Sequence, residues 1–188
     1  MKRSTVTLAL VLTLCLAAAC TKQSLKTTYD KQATYIESFV SARMKTDTNA
    51  TLVRTGGSYR LTLHDTLDRI GLRPDSLDWG GRVSLFYACY TLSSANVTAA
   101  NLVATNVKSL ADDAGWSLSD ATRYKADTLI LDDRLLPGLK NGLWGGQPGD
   151  EAFVLFTGEL GYGNREKGTI PARSALVYQV WINSIENE

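Results

Sequence analysis

Apolar side chains are most regularly spaced along residues 82–92, and this pattern predicts a β-strand. Successive side chains of a strand point to opposite faces of the sheet. One face carries Val83, Leu85, Tyr87 and Cys89, and the other carries Ser84, Phe86, Ala88 and Tyr90. Because both faces are largely apolar, we expect this strand to be central in its sheet or covered on both sides.

A second pattern has helical spacing and covers residues 25–45. Its apolar positions are Tyr29, Ala33, Ile36, Phe39, Val40 and Met44. The pattern predicts a helix with one apolar stripe. That stripe can pack on the domain or mediate dimerisation; we expect packing within one chain and a monomeric protein.

The remaining pattern predicts short strands and one short helix. The strands are expected at residues 51–53, 58–63, 128–131, 151–157 and 175–185, with a Gly56-Gly57 turn between the first two. The helix is expected at residues 136–143, weakened by Gly142. Residues 96–106 are ambiguous, and residues of about 107–126 contain helix-like pieces typical of an insertion. Few antiparallel strands and one short helix indicate an α+β fold.

The first residues have the composition of an export signal. Met1-Lys2-Arg3 is followed by an apolar run that is too short to span a bilayer comfortably. The run ends in Leu16-Ala17-Ala18-Ala19-Cys20, which resembles a lipobox, with Ala17 where that pattern prefers Leu. We therefore expect a signal peptide at residues 1–19, lipidation at Cys20, a tether and helix at 20–50, and one domain at 51–188. Simple secretion is the alternative.

Composition and charge give no indication of a nucleic-acid-binding or a disulfide-stabilised protein. The 188 residues are 44% hydrophobic with a formal net charge of +1, which suits one globular domain and gives no indication of a nucleic-acid partner. Removal of Lys2 and Arg3 with the signal changes the charge to −1, because two positive side chains leave. Of the three cysteines, Cys15 would leave with the signal and Cys20 would carry lipid. Cys89 would then be the only free thiol, so no intrachain disulfide is expected.

Candidate catalytic and metal-ligating residues are few. His64 is the only histidine, and nothing in the pattern pairs it with Cys89, which we interpret as a buried structural cysteine. Asp112-Asp113 and Asp132-Asp133 lack further ligands at calcium-loop spacing and are interpreted as solvated turns. We therefore expect neither a metal nor a cofactor.

Residues 134–182 carry a recognisable series of motifs. Leu135-Leu136-Pro137-Gly138-Leu139 precedes a strand that Gly149 opens, and Leu160-Gly161-Tyr162-Gly163 follows that strand. Gly168-Thr169-Ile170-Pro171-Ala172 then leads into Ser174-Ala175-Leu176-Val177-Tyr178. This order resembles the FKBP-type peptidyl-prolyl cis-trans isomerases, whose pattern runs through a Val-Ile-x-Gly-Trp turn, a Tyr-Gly pair and an Ile-Pro-Pro strand entry. A looser similarity extends the resemblance to about residues 58–185.

The resemblance implies an α+β fold in which a half-wrapped antiparallel sheet packs on one short helix, here with an N-terminal helical extension. It implies an apolar pocket between the two that binds proline-containing polypeptides and isomerises the X-Pro bond. Tyr162 would donate its hydroxyl to a substrate carbonyl and Tyr87 would line the opposite side. The substrate-binding residues implied in this way are Leu136, Leu139, Ile170, Tyr178 and Val103.

Two departures from the family pattern bear on activity. Leu139 stands where the family usually has Trp, which removes aromatic surface but keeps the floor of the pocket apolar. Val103-Ala104-Thr105-Asn106 is the best candidate for the Phe-Asp-Ser-Ser element, and it puts Ala104 at the place of the family Asp. We therefore keep two alternatives to a working isomerase: a catalytically weak module that binds peptides or a partner protein, and a structural lipoprotein whose pocket is filled.

The lipobox gives the expected location. Lipidation at Cys20 predicts a protein held at the bacterial cell envelope by its acyl chains, acting on exported polypeptides. Thr21 follows the cysteine, where Asp would signal retention in the inner membrane in some bacteria, so the outer membrane is favoured.

Overall fold

The computed structural model describes residues 2–63, 76–116 and 121–187, with only the backbone described for residues 2–22 and 121. His64 lies outside the described residues. The chain divides into two compact units, Met1–Lys31 and Gln32–Glu188. The first is the N-terminal part of one helix, and the second contains the sheet.

Helix α1 spans Lys2–Thr46 and confirms the helical pattern of residues 25–45. It also includes residues 20–24, which precede that pattern within the tether and helix expected at 20–50. The reason is local: the segment contains no glycine or proline to interrupt the hydrogen-bond ladder. The hydroxyls of Thr27 and Thr28 donate to the carbonyls one turn back. No helix among the described residues is long and apolar enough to cross a membrane.

The strands form one antiparallel sheet. They are β1 (Thr51–Thr55), β2 (Ser58–Leu63), β3 (Arg82–Leu92), β4 (Leu102–Thr105), β5 (Asp127–Ile130), β6 (Glu151–Phe156) and β7 (Ala175–Glu186). Their order is β1-β2-β6-β7-β3-β4, and β5 pairs with β3 beside β4. The predicted strands are thus confirmed within a few residues, and the ambiguous residues 96–106 contain β4.

Both faces of the sheet are covered, as the two apolar faces of β3 predict. Val83, Leu85 and Cys89 belong to a buried cluster on one face. Ala88 and Tyr90 belong to a second cluster on the other face.

The first face packs on α3 (Pro137–Leu143), which begins with proline at its first position, where the missing N–H has no helical partner to lose. The second face packs on the C-terminal part of α1 through Ile36, Phe39 and Val40, which are almost fully buried. The predicted packing of this helix within the chain is therefore confirmed.

Two glycines allow α3 to lie directly against β6. A Cβ at Gly138 would stand 2.1 Å from the ring of Phe156, and a Cβ at Gly142 would stand 2.2 Å from Val154. Gly142 lowers the helix propensity of this segment, but it also permits the close approach of the helix to the sheet.

The predicted insertion lies between β4 and β5. It contains α2 (Lys108–Asp113) and a single 3₁₀ turn at Ala121–Arg123. Both strands that flank it pair with β3, so the insertion leaves the sheet and returns to the same strand.

Candidate functional site

A cavity of about 230 Å³ opens between the concave face of the sheet and α3. Its walls come from β3, β4, β5, β7, α3 and the turn after β6. The lining residues are Leu85, Tyr87, Ala104, Asp127, Leu129, Leu135, Leu139, Tyr162, Tyr178 and Val180. The volume lies below the range of about 300–1,000 Å³ that is usual for drug-sized ligands, and it suits one ring with its flanking atoms.

Tyr178 forms the aromatic back of the cavity. Its ring stacks on Phe156 with centroids 6.0 Å apart and an interplanar angle of 18°. The ring of Tyr87 lies 6.2 Å from it at a tilt of 38°. Such offset contacts are the preferred geometry of aromatic pairs and hold each ring in one orientation.

The hydroxyl of Tyr178 is hydrogen-bonded to the thiol of Cys89, which is buried in the sheet. Burial raises the pKa of the Cys89 thiol to about 12, against the weaker opposite effect of the hydrogen bond from Tyr178. A thiol that stays protonated is a poor nucleophile. The prediction that Cys89 is a buried structural residue is confirmed by its 1% exposure.

Tyr162 reaches the cavity from the turn that follows β6. Gly163 has φ of +57°, a left-handed conformation that favours glycine, and its carbonyl accepts a hydrogen bond from Arg173 N–H. The turn closes back on itself through the Gly163 N–H and the Gly158 carbonyl, 2.9 Å apart. Burial raises the pKa of Tyr162, and the neighbouring Cys89 adds to the effect, so its phenol remains a hydrogen-bond donor at neutral pH.

Leu139 and Tyr162 line the same cavity, as the resemblance implies, and the cavity is not filled from within. Leu139 is 6% exposed and extends from α3 into the core that surrounds the cavity. The carbonyl of Leu160, in the turn that carries Tyr162, accepts a hydrogen bond from Gly138 N–H at 2.9 Å. This bond connects the turn of Tyr162 to the helix of Leu139.

Strand β4 puts Ala104 in the wall. Ala104 pairs with Cys89 of β3, so their side chains share the cavity face of the sheet. Ala104 therefore lines the cavity, and its correspondence with the family Asp stays a prediction.

Asn106 is a structural residue of the site that the sequence analysis did not identify. Its side chain accepts a hydrogen bond from Tyr87 N–H and donates to the carbonyls of Leu85 and Lys125. It is 3% exposed and fills the gap between the segments of β4 and β5 that pair with β3. Asn106 thus fixes the backbone on both sides of the cavity wall.

Asp127 was also missed. It is the first residue of β5, it pairs with Leu85 of β3, and it lines the cavity together with Leu129. The sequence signal was present: Asp127 and Leu129 alternate with exposed Thr128, so the two side chains share one face of the strand.

The structure brings together four of the seven predicted pocket residues: Tyr87, Leu139, Tyr162 and Tyr178. Leu136, Ile170 and Val103 pack against the same core cluster but do not line the cavity. Leu135 takes the place expected of Leu136, because Leu136 is the cap of α3 and neighbouring side chains in an extended segment point in different directions. Ile170 is drawn into the core by a tight turn in which it exchanges two backbone hydrogen bonds with Lys167.

No group of three or more His, Cys, Asp or Glu side chains that could hold a metal ion occurs in the part of the chain that the structure describes. The polar atoms of the cavity are three phenols and one carboxylate among apolar walls. This set can exclude water and donate hydrogen bonds.

Comparison with known families agrees with this geometry. Residues 105–183 match the family described as FKBP-type peptidyl-prolyl cis-trans isomerase. The matched segment includes Asp127, Leu139, Tyr162 and Tyr178, whereas Tyr87 precedes it. No curated protein sequence is similar enough to the chain to match it.

Three solved structures are similar in fold. The three FKBP domains of wheat FKBP73 align with a TM-score of 0.54 and 14% identity over 74% of this chain and 52% of that chain. FkpA from Escherichia coli aligns with a TM-score of 0.52 and 17% identity over 93% of this chain and 70% of that chain. A peptidyl-prolyl cis-trans isomerase from Pseudomonas syringae pv. tomato aligns at 0.54 and 13% identity, covering 86% and 96%. The chain spans about half the length of the wheat structure, and identities this low show the fold alone.

Proposed function

We propose that the chain, whose residues 105–183 match the FKBP-type family, is a peptidyl-prolyl cis-trans isomerase whose substrate proline enters the cavity lined by Tyr162. The observation that carries the proposal is the open apolar cavity, which holds Tyr87, Leu139, Tyr162 and Tyr178 around one space. Activity requires no nucleophile, metal or titrating base, because no covalent bond breaks in the reaction.

Removal of water is the first part of the proposed mechanism. The peptide bond resists rotation by about 18–20 kcal/mol because conjugation gives it partial double-bond character. The planar ground state is more polar than the twisted transition state, in which the nitrogen is no longer conjugated. An apolar site that strips water from the bond therefore favours the twisted state, which is differential binding of the transition state.

Hydrogen bonding is the second part. The Tyr162 hydroxyl, held at the cavity by its turn, would donate to a substrate carbonyl next to the proline. Burial raises the pKa of Tyr162, Tyr87 and Tyr178, so all three phenols stay neutral at physiological pH. Neutral rings keep the site apolar, and the hydroxyl of Tyr178 is already bonded to Cys89.

One observation favours a second function, peptide binding with little turnover. Ala104 lines the cavity where the family pattern has an Asp that takes part in the polar network of the pocket. Loss of that group would leave the apolar socket able to hold a proline ring while the transition state receives less stabilisation.

A protease-coupled isomerisation assay on the full chain separates the isomerase from the peptide-binding module. We expect the wild type to accelerate the cis-to-trans step and Tyr162→Phe to lower kcat/KM by about three- to tenfold, the worth of one neutral hydrogen bond. Tyr59→Phe is the matched control, because Tyr59 loses a hydroxyl that is bonded to Glu37 and does not line the cavity.

Wild-type rates equal to buffer would reject the isomerase. Binding of a proline peptide without turnover, measured by fluorescence titration on the same preparation, would then support the binding module. Absence of both turnover and peptide binding would support the structural lipoprotein, although the unfilled cavity argues against that alternative.

We further propose that the protein acts on exported polypeptides from the bacterial envelope, anchored through lipid on Cys20 with the outer membrane favoured. The lipobox-like Leu16-Ala17-Ala18-Ala19-Cys20 supports this proposal. Metabolic labelling with a fatty acid should mark the wild type and not Cys20→Ala. Label retained by Cys20→Ala would reject the anchor without affecting the isomerase.

A further inference from the structure

Among the described residues that line the cavity, one carries a charge, the carboxylate of Asp127. The nine other lining residues are apolar or carry neutral phenols. A carboxylate is expensive to bury without a counter-charge, so a half-buried one in an apolar cavity is a specific feature rather than a filler.

The register of the sheet directs Asp127 into the cavity. Its partner across β3 is Leu85, and paired residues of adjacent strands share a face. Leu85 and Leu129 both line the cavity, which fixes the same orientation for Asp127 between them. The buried side chain of Asn106 holds the segment in place through the carbonyl of Lys125, two residues earlier.

No Lys or Arg in the described ranges 2–63, 76–116 and 121–187 forms an ion pair with Asp127. No cationic side chain lines the cavity either. The phenol of Tyr87 senses this carboxylate, because its pKa is raised by burial and then by the negative charge of Asp127. The carboxylate therefore faces the space that the substrate would occupy, and no cationic side chain among the described residues compensates its charge.

We propose that Asp127 selects polypeptide substrates with a lysine or arginine next to the proline. The inference rests on the proposed function, because it assumes that the proline ring occupies the cavity. The cavity has room for one ring, so the residues that flank a bound proline would lie against its partly exposed wall, which includes Asp127. A cation there gains an opposite charge in a partly dry site, and an acidic residue meets repulsion.

The same carboxylate is incompatible with a purely apolar substrate preference. An uncompensated charge in the wall weakens the binding of apolar neighbours, since they would remove water from it without replacing the lost hydrogen bonds. Asp127 would thus attract a cationic neighbour of the proline and disfavour acidic or apolar ones. Specific binding sites commonly combine attraction of one ligand with rejection of others.

Two series of short proline peptides test the proposal on the full chain. In one series the residue before the proline is Lys, Leu or Glu, and in the other the residue after it varies in the same way. For each peptide we would measure both kcat/KM and the dissociation constant. We expect Lys to be favoured over Glu by about fivefold in at least one series, as for a partly exposed ion pair. This ratio should fall towards one as salt screens the charges.

Asp127→Asn keeps the shape of the side chain and removes its charge, so the ratio of Lys to Glu should fall to about one. Asp113→Asn is the matched control, because it makes the same change in net charge on an exposed residue outside the cavity. The ratio in that control should equal the wild-type ratio.

A wild-type ratio near one in both series would overturn the proposal, and so would a ratio that persists in Asp127→Asn. If no peptide is turned over, the isomerase function fails while the dissociation constants still decide this inference. A charge preference in binding that depends on Asp127 would support it, and its absence would overturn it.

Discussion

At the scale of single residues, the side chain of Asn106 connects three backbone groups around the cavity. It joins Tyr87 N–H, the Leu85 carbonyl and the Lys125 carbonyl in a buried position. Asn106→Ala leaves these backbone groups without their partner. Because each unsatisfied buried group costs about 1–3 kcal/mol, we expect a loss of about 2–4 kcal/mol in the free energy of unfolding, measured by urea denaturation.

Asn141→Ala is the comparison for this variant. Asn141 also donates from its side chain to a carbonyl, that of Gly56, but at an exposed site. Its replacement should cost less than about 1 kcal/mol, because water replaces the lost bond. Equal costs for the two variants would contradict the role of Asn106.

The buried pair of Cys89 and Tyr178 predicts a loss of stability at alkaline pH. Burial raises the pKa of Cys89 from 9.0 to about 12 and raises that of Tyr178 as well. The unfolded chain releases these protons first, so stability is complete below pH 9 and falls as the pH rises from 9 towards 12. Each such group contributes a slope of about 1.4 kcal/mol per pH unit.

Denaturation curves between pH 7 and 11 (a range of about four units around these groups) would measure this slope. Tyr178→Phe removes one of the two titrating groups and should therefore show a shallower decline above pH 9 than the wild type. An identical decline in the two proteins would mean that Tyr178 ionises as readily in the folded state as in the unfolded chain.

At the scale of elements, the contact of α3 with β6 depends on glycine. Gly138→Ala would place a methyl group 2.1 Å from Phe156, so the helix must move away from the sheet. Overpacking of this kind costs about 1–3 kcal/mol, more than alanine gains in helix propensity. Thermal unfolding should show a lower Tm, and the shift of the helix should also weaken peptide binding at Leu139.

Gly161→Ala is the control for this prediction. Its methyl group would also approach Phe156, but at 3.6 Å, an ordinary van der Waals distance. The control should keep the wild-type Tm within a few degrees. If Gly138→Ala were as stable as Gly161→Ala, the close packing of α3 would not be required.

The C-terminal part of α1 stabilises the sheet from the face opposite the cavity. Phe39 is 1% exposed and meets the ring of Phe153 edge-to-face at 5.2 Å, and the guanidinium of Arg43 lies over both rings. Phe39→Ala should lower the free energy of unfolding by about 3–5 kcal/mol. Peptide affinity at temperatures well below Tm should change little, because the two core clusters lie on opposite faces. A large loss of affinity in the folded variant would contradict this separation.

The sequence pattern predicted the elements well because local and tertiary preferences agree in them. Residues 82–92 are largely apolar on both faces of the predicted strand, and the structure has β3 over the same eleven residues. Helix α1 begins before residue 25, where the predicted pattern starts, because no glycine or proline interrupts the polar residues that precede it. Strand β4 could not be assigned from its four residues alone, since its pairing with β3 is set by the sheet.

The wall of the cavity was predictable only where a motif fixed the register. Tyr162 lies between two glycines and Leu139 follows Pro137-Gly138, and both reach the cavity. The exchange of Leu135 for Leu136 depends on the direction of a side chain at a helix cap, which spacing does not determine. No motif includes Asp127, and its place in the wall follows from the pairing of β5 with β3.

At the scale of the whole molecule, the α+β prediction and the resemblance to the FKBP-type family are confirmed by the sheet, the family match and the similar solved structures. The domain has a sheet with two covered faces. One face carries the cavity and α3, and the other packs on α1. The cavity and the packing of α1 therefore lie on opposite faces of the same sheet.

The central claim is that the cavity beneath Tyr162 rotates an X-Pro bond, and exchange spectroscopy by NMR tests it most directly. A short proline peptide exchanges between cis and trans over tens of seconds or longer without catalysis. With a small fraction of the folded domain added, we predict exchange cross-peaks between the two isomers within a mixing time of about one second, and their loss in Tyr178→Ala, whose cavity lacks its aromatic back. Cross-peaks absent from the wild type, while its own spectrum shows a folded protein, would contradict the account.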